Sequence, residues 1–298
     1  MKPSLFIALL IATTALADPP AGRPLYRYQT TDVPNALSTT INGISDDRQV
    51  VGVFTDADRR QHGFRLKGAT LNVIDYPGAI QTAARGIAPN GDIVGHYRLA
   101  GEPAVNIHGF LMSRDGVFNR MDYRARTSTI PQRILAGGVV LGCAHDRDTM
   151  ASMHGVILTS SAQSELDMQA SMHNGATPDL SLIAGLYTDM ETMKARAYMI
   201  LDGEFIPFDY PDALSTAAWD VNPSGAIVGV YQDAKGAAHG FLLDDGEFTS
   251  IDFPDALETR AFGINARGDV AGSYVDAAKR THGFIARRRV IVPRGVPE

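Results

Sequence analysis

The chain has 298 residues, of which 27 are Lys or Arg and 33 are Asp or Glu, giving a net charge of −6 with histidine neutral. Such an acidic chain is a poor match for nucleic acid, whose phosphates call for a basic surface. Its single cysteine, Cys143, rules out an intramolecular disulfide, so stability must come from apolar burial, for which this length suffices.

The N-terminus, MKPSLFIALLIATTALADPP, joins a positive start at Lys2 to an apolar run from Leu5 to Leu16 and an Ala15-Leu16-Ala17 cleavage pattern. That is the layout of a secretory signal peptide over residues 1–17. The run is shorter than the roughly 20 apolar residues of a spanning helix. The expected product is exported, to the periplasm or the extracellular medium, with no transmembrane segment in the mature chain. Residues 18–25 read as a lead, 26–290 as one repeat domain and 291–298 as a C-terminal tail.

Four landmarks recur six times at spacings of about 43 residues. A Gly closes an apolar triplet at Gly52, Gly95, Gly142, Gly185, Gly229 and Gly272. A His-Gly pair begins at His62, His108, His154, His239 and His282, with Arg196 in the fourth unit. An Asp stands at Asp32, Asp75, Asp122, Asp167, Asp209 and Asp252. A Thr opens the unit at Thr39, Thr82, Thr129, Thr216 and Thr259, with Met172 in the matching place of the fourth.

A complete unit carries four short strand patterns, as in "TRAFGIN", "GDVAGSYVD", "HGFLLDD" and "EFTSIDF". The "DDG" turn suits a hairpin, and Asp-aromatic-Pro ends the pairing because Pro lacks a ladder donor. Four antiparallel strands in such a period predict an all-β fold, a six-bladed β-propeller of four-stranded blades. The sixth unit lacks its fourth strand. Tyr26 to Ala36 supplies a matching segment, with Asp32 in phase, so the N-terminal strand is expected to close the ring. The competing source of that strand is "RRRVIVP" near the C-terminus.

"DYPGAIQTAARGIAPNGDIVGHY" and "HGFLLDDGEFTSIDFPDALETRAFGINARGDVAGSY" resemble the HAF-type extracellular repeats of bacterial proteins. The triplet is His-Gly-Phe here, where that family's name-giving triplet is His-Ala-Phe. The resemblance implies an exported, propeller-like repeat protein. It brings no catalytic residues and no cofactor with it.

Repetition separates scaffold from site, since a catalytic centre occurs once per ring and a packing rule in every blade. The recurring His is therefore expected to bond backbone in a neighbouring turn. The recurring Asp residues, with Asp56, Asp146, Asp189, Asp233 and Asp276 after strand two, are expected to form turns. Leu99 breaks the latter series.

Function is sought where units differ. Strand one lines the channel of a propeller, and one face of it carries Asn42, Arg85, Gln132, Gly175, Trp219 and Phe262, together with Thr40, Ala83, Ile130, His173, Ala217 and Arg260. Aromatics beside fork-shaped donors suit a sugar ring or a carboxylated ligand. The candidate ligand-binding residues are thus Asn42, Arg85, Gln132, His173, Trp219, Arg260 and Phe262. This face has no Asp or Glu, which disfavours Ca²⁺ and paired-carboxylate glycoside hydrolysis there.

Seven of ten Met fall between 150 and 199, and "MASMH" and "MQASMH" set Met beside His. Met150, Met153, His154, Met172 and His173 form a candidate Cu(I) set, against the plainer reading that Met fills the cores of divergent blades. Cys143 is expected to be a buried hydrophobe. The leading expectation is a non-enzymatic exported propeller, without a cofactor, that binds a small molecule, glycan or protein at the channel mouth or rim. A carbohydrate-active hydrolase or lyase and a periplasmic copper binder are the alternatives.

Overall fold

The computed structural model describes residues 25–146, 152–166 and 170–289. The expected signal peptide, the C-terminal tail, Met150, Asp167 and Met168 lie outside the described residues. Among the described residues, 24 strands form six four-stranded antiparallel sheets, the blades of a β-propeller. The innermost strands are Ser38–Ile44, Ala79–Ile87, Ser128–Ile134, Ser171–Ala176, Ser215–Val221 and Glu258–Ile264, opening blades 1 to 6 in turn. No helix among these residues is long and apolar enough to cross a membrane.

The last blade takes its outer strand from the N-terminus. Tyr26–Thr30 pairs with Thr281–Arg288, running from Tyr26 opposite Arg288 to Thr30 opposite Phe284. Arg287 and Arg288 thus finish the third strand of that blade rather than begin a fourth. The seam between blades 6 and 1 is tied further by Arg48 against Asp269 at 2.7 Å and by Asn265 Nδ2 donating to the Ser45 carbonyl at 3.1 Å. Ring closure leaves no blade with an unpaired face.

The core lies between blades. Val51 and Ile74 of blade 1 pack with Ala84, Ile93, Tyr97 and Phe110 of blade 2 in one such layer. Each landmark has a place in this packing. The Thr39 hydroxyl is buried and accepts the Val33 N–H at 3.1 Å, and Thr82, Thr129, Thr216 and Thr259 accept from the equivalent N–H groups at 2.8–3.0 Å. Strand four is thereby fastened to the next inner strand. Gly52 lies where a methyl group would sit 2.0 Å from the Thr40 carbonyl and 2.9 Å from the Phe64 ring. We expect Gly52→Ala to cost about 1–3 kcal/mol or more in a denaturant titration, because overpacking there meets backbone. A cost below 0.5 kcal/mol would show that the strand yields freely.

The recurring His has charged partners rather than the backbone ones expected. His62 lies 2.9 Å from Asp75 and 3.1 Å from Asp56. His282 lies 2.7 Å from Asp32 and 3.2 Å from Asp276, and His239 lies 2.8 Å from Asp252. In blade 2, where Leu99 breaks the series, Glu102 reaches His108 at 2.6 Å. In blade 4, Arg196 stands in for His, 2.5 Å from Asp209 and 3.9 Å from Asp189. The Asp residues also serve their turns: Asp56 accepts the Arg60 N–H at 2.8 Å and Asp276 the Arg280 N–H at 2.9 Å.

Blade 4 corrects the sequence register by one residue. Ile41 pairs with Gly52 and Ala84 with Gly95, but Gly185 faces His173, not the Asn174 that the sequence register implied. Ser171 therefore takes the place of the opening Thr, and Met172 takes the channel-side place assigned to His173. His173 falls in the packed series with Ile41 and Ala84, 1% exposed. The exchange of the opening Thr for Ser171 hid the shift.

Candidate functional site

Every inner strand carries a β-bulge at one height. Pairing jumps from Ile41 to Gly43, Ala84 to Gly86, Pro131 to Arg133, His173 to Gly175, Ala218 to Asp220 and Ala261 to Gly263. The residues skipped are Asn42, Arg85, Gln132, Asn174, Trp219 and Phe262. They are the variable series read from the sequence, with Asn174 in place of Gly175 once the register is corrected. A bulge leaves one residue unpaired and re-aims its side chain, which explains why this position escapes the packing rules of the blades.

Not all of these residues are free to meet a ligand. Asn42 is buried and its Nδ2 donates to the Ala84 carbonyl of the next blade at 2.8 Å. Asn174 makes the same 2.8 Å bond to Ala218. Gln132 is buried with its Nε2 3.2 Å from the Met172 sulfur. His173 is committed on both nitrogens: Nε2 donates to the Leu166 carbonyl at 3.0 Å and Nδ1 meets the Tyr198 hydroxyl at 2.5 Å. Burial pushes the imidazole down to about 4, so it is neutral. The four other blades with an aromatic at the Tyr198 position have Phe (Phe64, Phe110, Phe241 and Phe284), which offers no such hydroxyl.

The residue after each bulge forms a series that the sequence reading passed over. It is Gly43, Gly86, Gly175 and Gly263 in four blades, but Arg133 in blade 3 and Asp220 in blade 5. These two meet across the channel, Arg133 Nε 2.9 Å from Asp220 Oδ1, with side chains 9% and 11% exposed. Arg133 also donates to the Arg85 and Gln132 carbonyls at 2.9 and 2.8 Å and to the Trp219 and Phe262 carbonyls. Asp220 accepts the Val221 and Ile264 N–H groups, each at 3.0 Å. Burial raises the Asp220 carboxyl while Arg133 pulls it back. The four glycines let the backbones close in: a methyl on Gly175 would meet the Val221 nitrogen at 2.6 Å. One buried ion pair in a collar of glycine thus plugs the axis. The signal for it was present in the sequence, as two opposite charges breaking a run of Gly.

The plug divides the channel into two mouths. One holds a cavity of about 130 Å³ floored by Arg133 and Asp220. The other holds about 500 Å³ and gathers Asn42, Arg85, Trp219, Arg260 and Phe262 from the predicted set. Gln132 and His173 are not among its walls. Trp219 and Phe262 meet edge to face, with centroids 5.2 Å apart and planes at 87°. Arg260 is paired with Glu258 at 2.7 Å. Arg85 is half-buried, and burial, with the Arg133 guanidinium nearby, holds it down to about 10. His96, on the strand paired with that of Arg85, is buried in the same wall. Burial and the neighbouring Arg85 hold it well below the usual imidazole range. Among the described residues, no Asp or Glu lines this cavity.

Met153 and Met172 behave as core filler in this part of the ring, whereas Met190 and Met193 are exposed. Met153 and Met172 pack with Cys143 and Leu186, against Ile130, Ala217 and Trp219. Cys143 is fully buried, and burial pushes its thiol up to about 12. His154 lies 3.1 Å from Glu165, and His173 bonds Tyr198 and the Leu166 carbonyl. Among the described residues, no three His, Cys, Asp or Glu side chains converge as a metal site would require.

No protein-family model matches the chain, and no curated protein matches it significantly. Solved structures of similar fold include the Aleuria aurantia lectin in complex with Fucα1-6GlcNAc, at TM-score 0.53 and 11% identity, covering 90% of this chain and 99% of that one. The β-propeller domain of the Trilobed protease from Pyrococcus furiosus gives TM-score 0.53 at 11% identity, over 84% and 94% of the two chains. A TolB-type protein of Agrobacterium tumefaciens gives 0.55 at 13%, over 84% and 90%. The chain is a six-bladed β-propeller by architecture and by its neighbours. The Pyrococcus domain is described as having an open velcro topology, whereas Tyr26–Thr30 closes the ring here.

Proposed function

We propose that this is an exported binding propeller, without catalytic activity of its own, that holds a small molecule or glycan in the 500 Å³ mouth of its channel. One observation carries the reading. The walls of that mouth are the unrepeated residues of a chain that otherwise repeats itself, and they combine an aromatic pair with an arginine. The volume lies within the range of pockets for small organic ligands. Export is supported by the N-terminal sequence and by the likeness of the repeats to HAF-type extracellular proteins. The lectin of the same fold shows that a ring of this size can carry a sugar. A hydrolase or lyase acting in this mouth would find no paired carboxylates among the described residues of its walls.

The test is a thermal-shift screen of glycans and metabolites against the wild type and a Trp219→Ala/Arg85→Gln double variant. A ligand of the native state raises its apparent stability, and loss of an anchoring aromatic costs about 2 kcal/mol of binding, roughly thirtyfold. We expect the double variant to keep its β-sheet circular dichroism and lose the shift. A shift of unchanged size would remove this mouth as the site.

A further inference from the structure

We infer that the mouth is built for an organic mono-anion, a carboxylate on a ring-shaped or otherwise apolar body, with Arg85 as its anchor; this rests on the reading of the mouth as a ligand site.

The charges of the channel do not balance. Arg133 is neutralised by Asp220 and Arg260 by Glu258. Arg85 has no acidic partner among the described residues, and its Nε is buried without a hydrogen bond. Beside it, His96 is 7% exposed, with a buried Nδ1 that also lacks a partner. Buried polar atoms left unpaired cost free energy, and two of the eight such atoms among the described residues, Arg85 Nε and His96 Nδ1, share one wall of this mouth, where a ligand would complement them. Among the described residues the surplus is one positive charge, and none of those lining the wall is acidic. A mono-anion balances it, whereas a dianion would reverse it. A carboxylate suits the planar fork of a guanidinium.

The second half of the ligand follows from the opposite wall. Arg85 and His96 belong to blade 2, and in a ring of six that blade stands across from blade 5, which carries Trp219. Trp219 packs on Phe262, and Ala217, Leu186 and Val230 continue the apolar surface. An anion with a hydrophobic or sugar-ring face would bridge the two walls. Inorganic anions leave the aromatic wall empty. Neither basic residue recurs: the places of His96 in the other blades are Val53, Cys143, Leu186, Val230 and Ser273.

The experiment uses the purified full chain and two matched pairs of probes, glucuronate with glucose and phenylacetate with phenylacetamide, at constant ionic strength. The two acids distinguish a sugar body from an aromatic one. We expect at least one acid to raise Tm and its neutral partner to bind about tenfold or more weakly, as loss of a charge-assisted bond implies. Arg85→Gln should abolish the preference. It should also raise the Tm of the unliganded protein, because it removes an unpaired half-buried charge. Equal binding of acid and neutral partner, lost in Trp219→Ala, would overturn the anion and leave the mouth as a ligand site. A response to acid that survives both substitutions would overturn both readings. A fall in unliganded Tm in Arg85→Gln would give Arg85 a structural role and end the inference by itself.

Discussion

Arg133→Gly is expected to destabilise the chain by about 3–5 kcal/mol, because it leaves the Asp220 carboxylate buried without its counter-charge. The four carbonyls that Arg133 serves lose a donor at the same time. Asp220→Gly should fall in the same range, now stranding a guanidinium. The double variant is the informative one. It rebuilds at both places the residue found at the other four, where the bulged backbone already accommodates Gly. Its loss should be far smaller than the sum of the single losses, a coupling of several kcal/mol in a double-mutant cycle by urea unfolding. Additive losses would mean that the pair does not act as a unit and that each residue is held by backbone contacts alone. Removal of the plug should also join the two mouths, so the double variant doubles as a test of whether the proposed ligand site needs a floor.

The architecture was legible because a propeller states its rules six times. Six Gly in phase fixed the blade, and the phase of Asp32 pointed to the closure, since the sixth unit lacked the fourth strand that the segment around Asp32 could supply. The site was legible in part, for the complementary reason: Arg85, Trp219, Arg260 and Phe262 stood out as exceptions to a rule, and the structure gathers them around one cavity. What failed were the readings that needed geometry within the strand. A β-bulge leaves no mark on hydrophobic alternation, so the plug that follows it went unseen. The misplacement of His173 arose where blade 4 had lost its Thr, and only pairing to Gly185 restores the register. Partners of the His-Gly histidines were misassigned to backbone because the carboxylates lie 6 and 13 residues away, on a loop and just past the end of the neighbouring strand. The exchange of His for Arg196 in blade 4 was the sequence clue that these sites hold a cation.

That exchange carries the second large prediction, a stability that falls on the alkaline side. Burial disfavours the charged form of His62, but its hydrogen bonds to Asp75 and Asp56 outweigh it, and the imidazole is raised above its ordinary 6.5. His282 is raised in the same way between Asp32 and Asp276. A raised folded-state pKa gives a contribution fully present below the unfolded value and lost as pH climbs through the folded one. The carboxylates run the other way. The Arg60 backbone N–H, joined by His62, lowers Asp56, and the Arg280 N–H and guanidinium, joined by His282, lower Asp276. Their contribution is complete above the ordinary carboxyl pKa, about 4, and is lost as pH falls through the depressed values. Stability should therefore peak between about pH 4 and 6.5 and decline above it. Blade 4 should not share in the decline, since Arg196 stays charged. Transplanting its solution tests the cause: in a His62→Arg/His282→Arg variant the alkaline limb should flatten while the acid limb remains. About 1 kcal/mol corresponds to roughly 2–4 °C in a chain of this size, which a Tm series from pH 4 to 9 resolves. An unchanged alkaline limb in that variant would move the pH dependence off these rims and onto other groups.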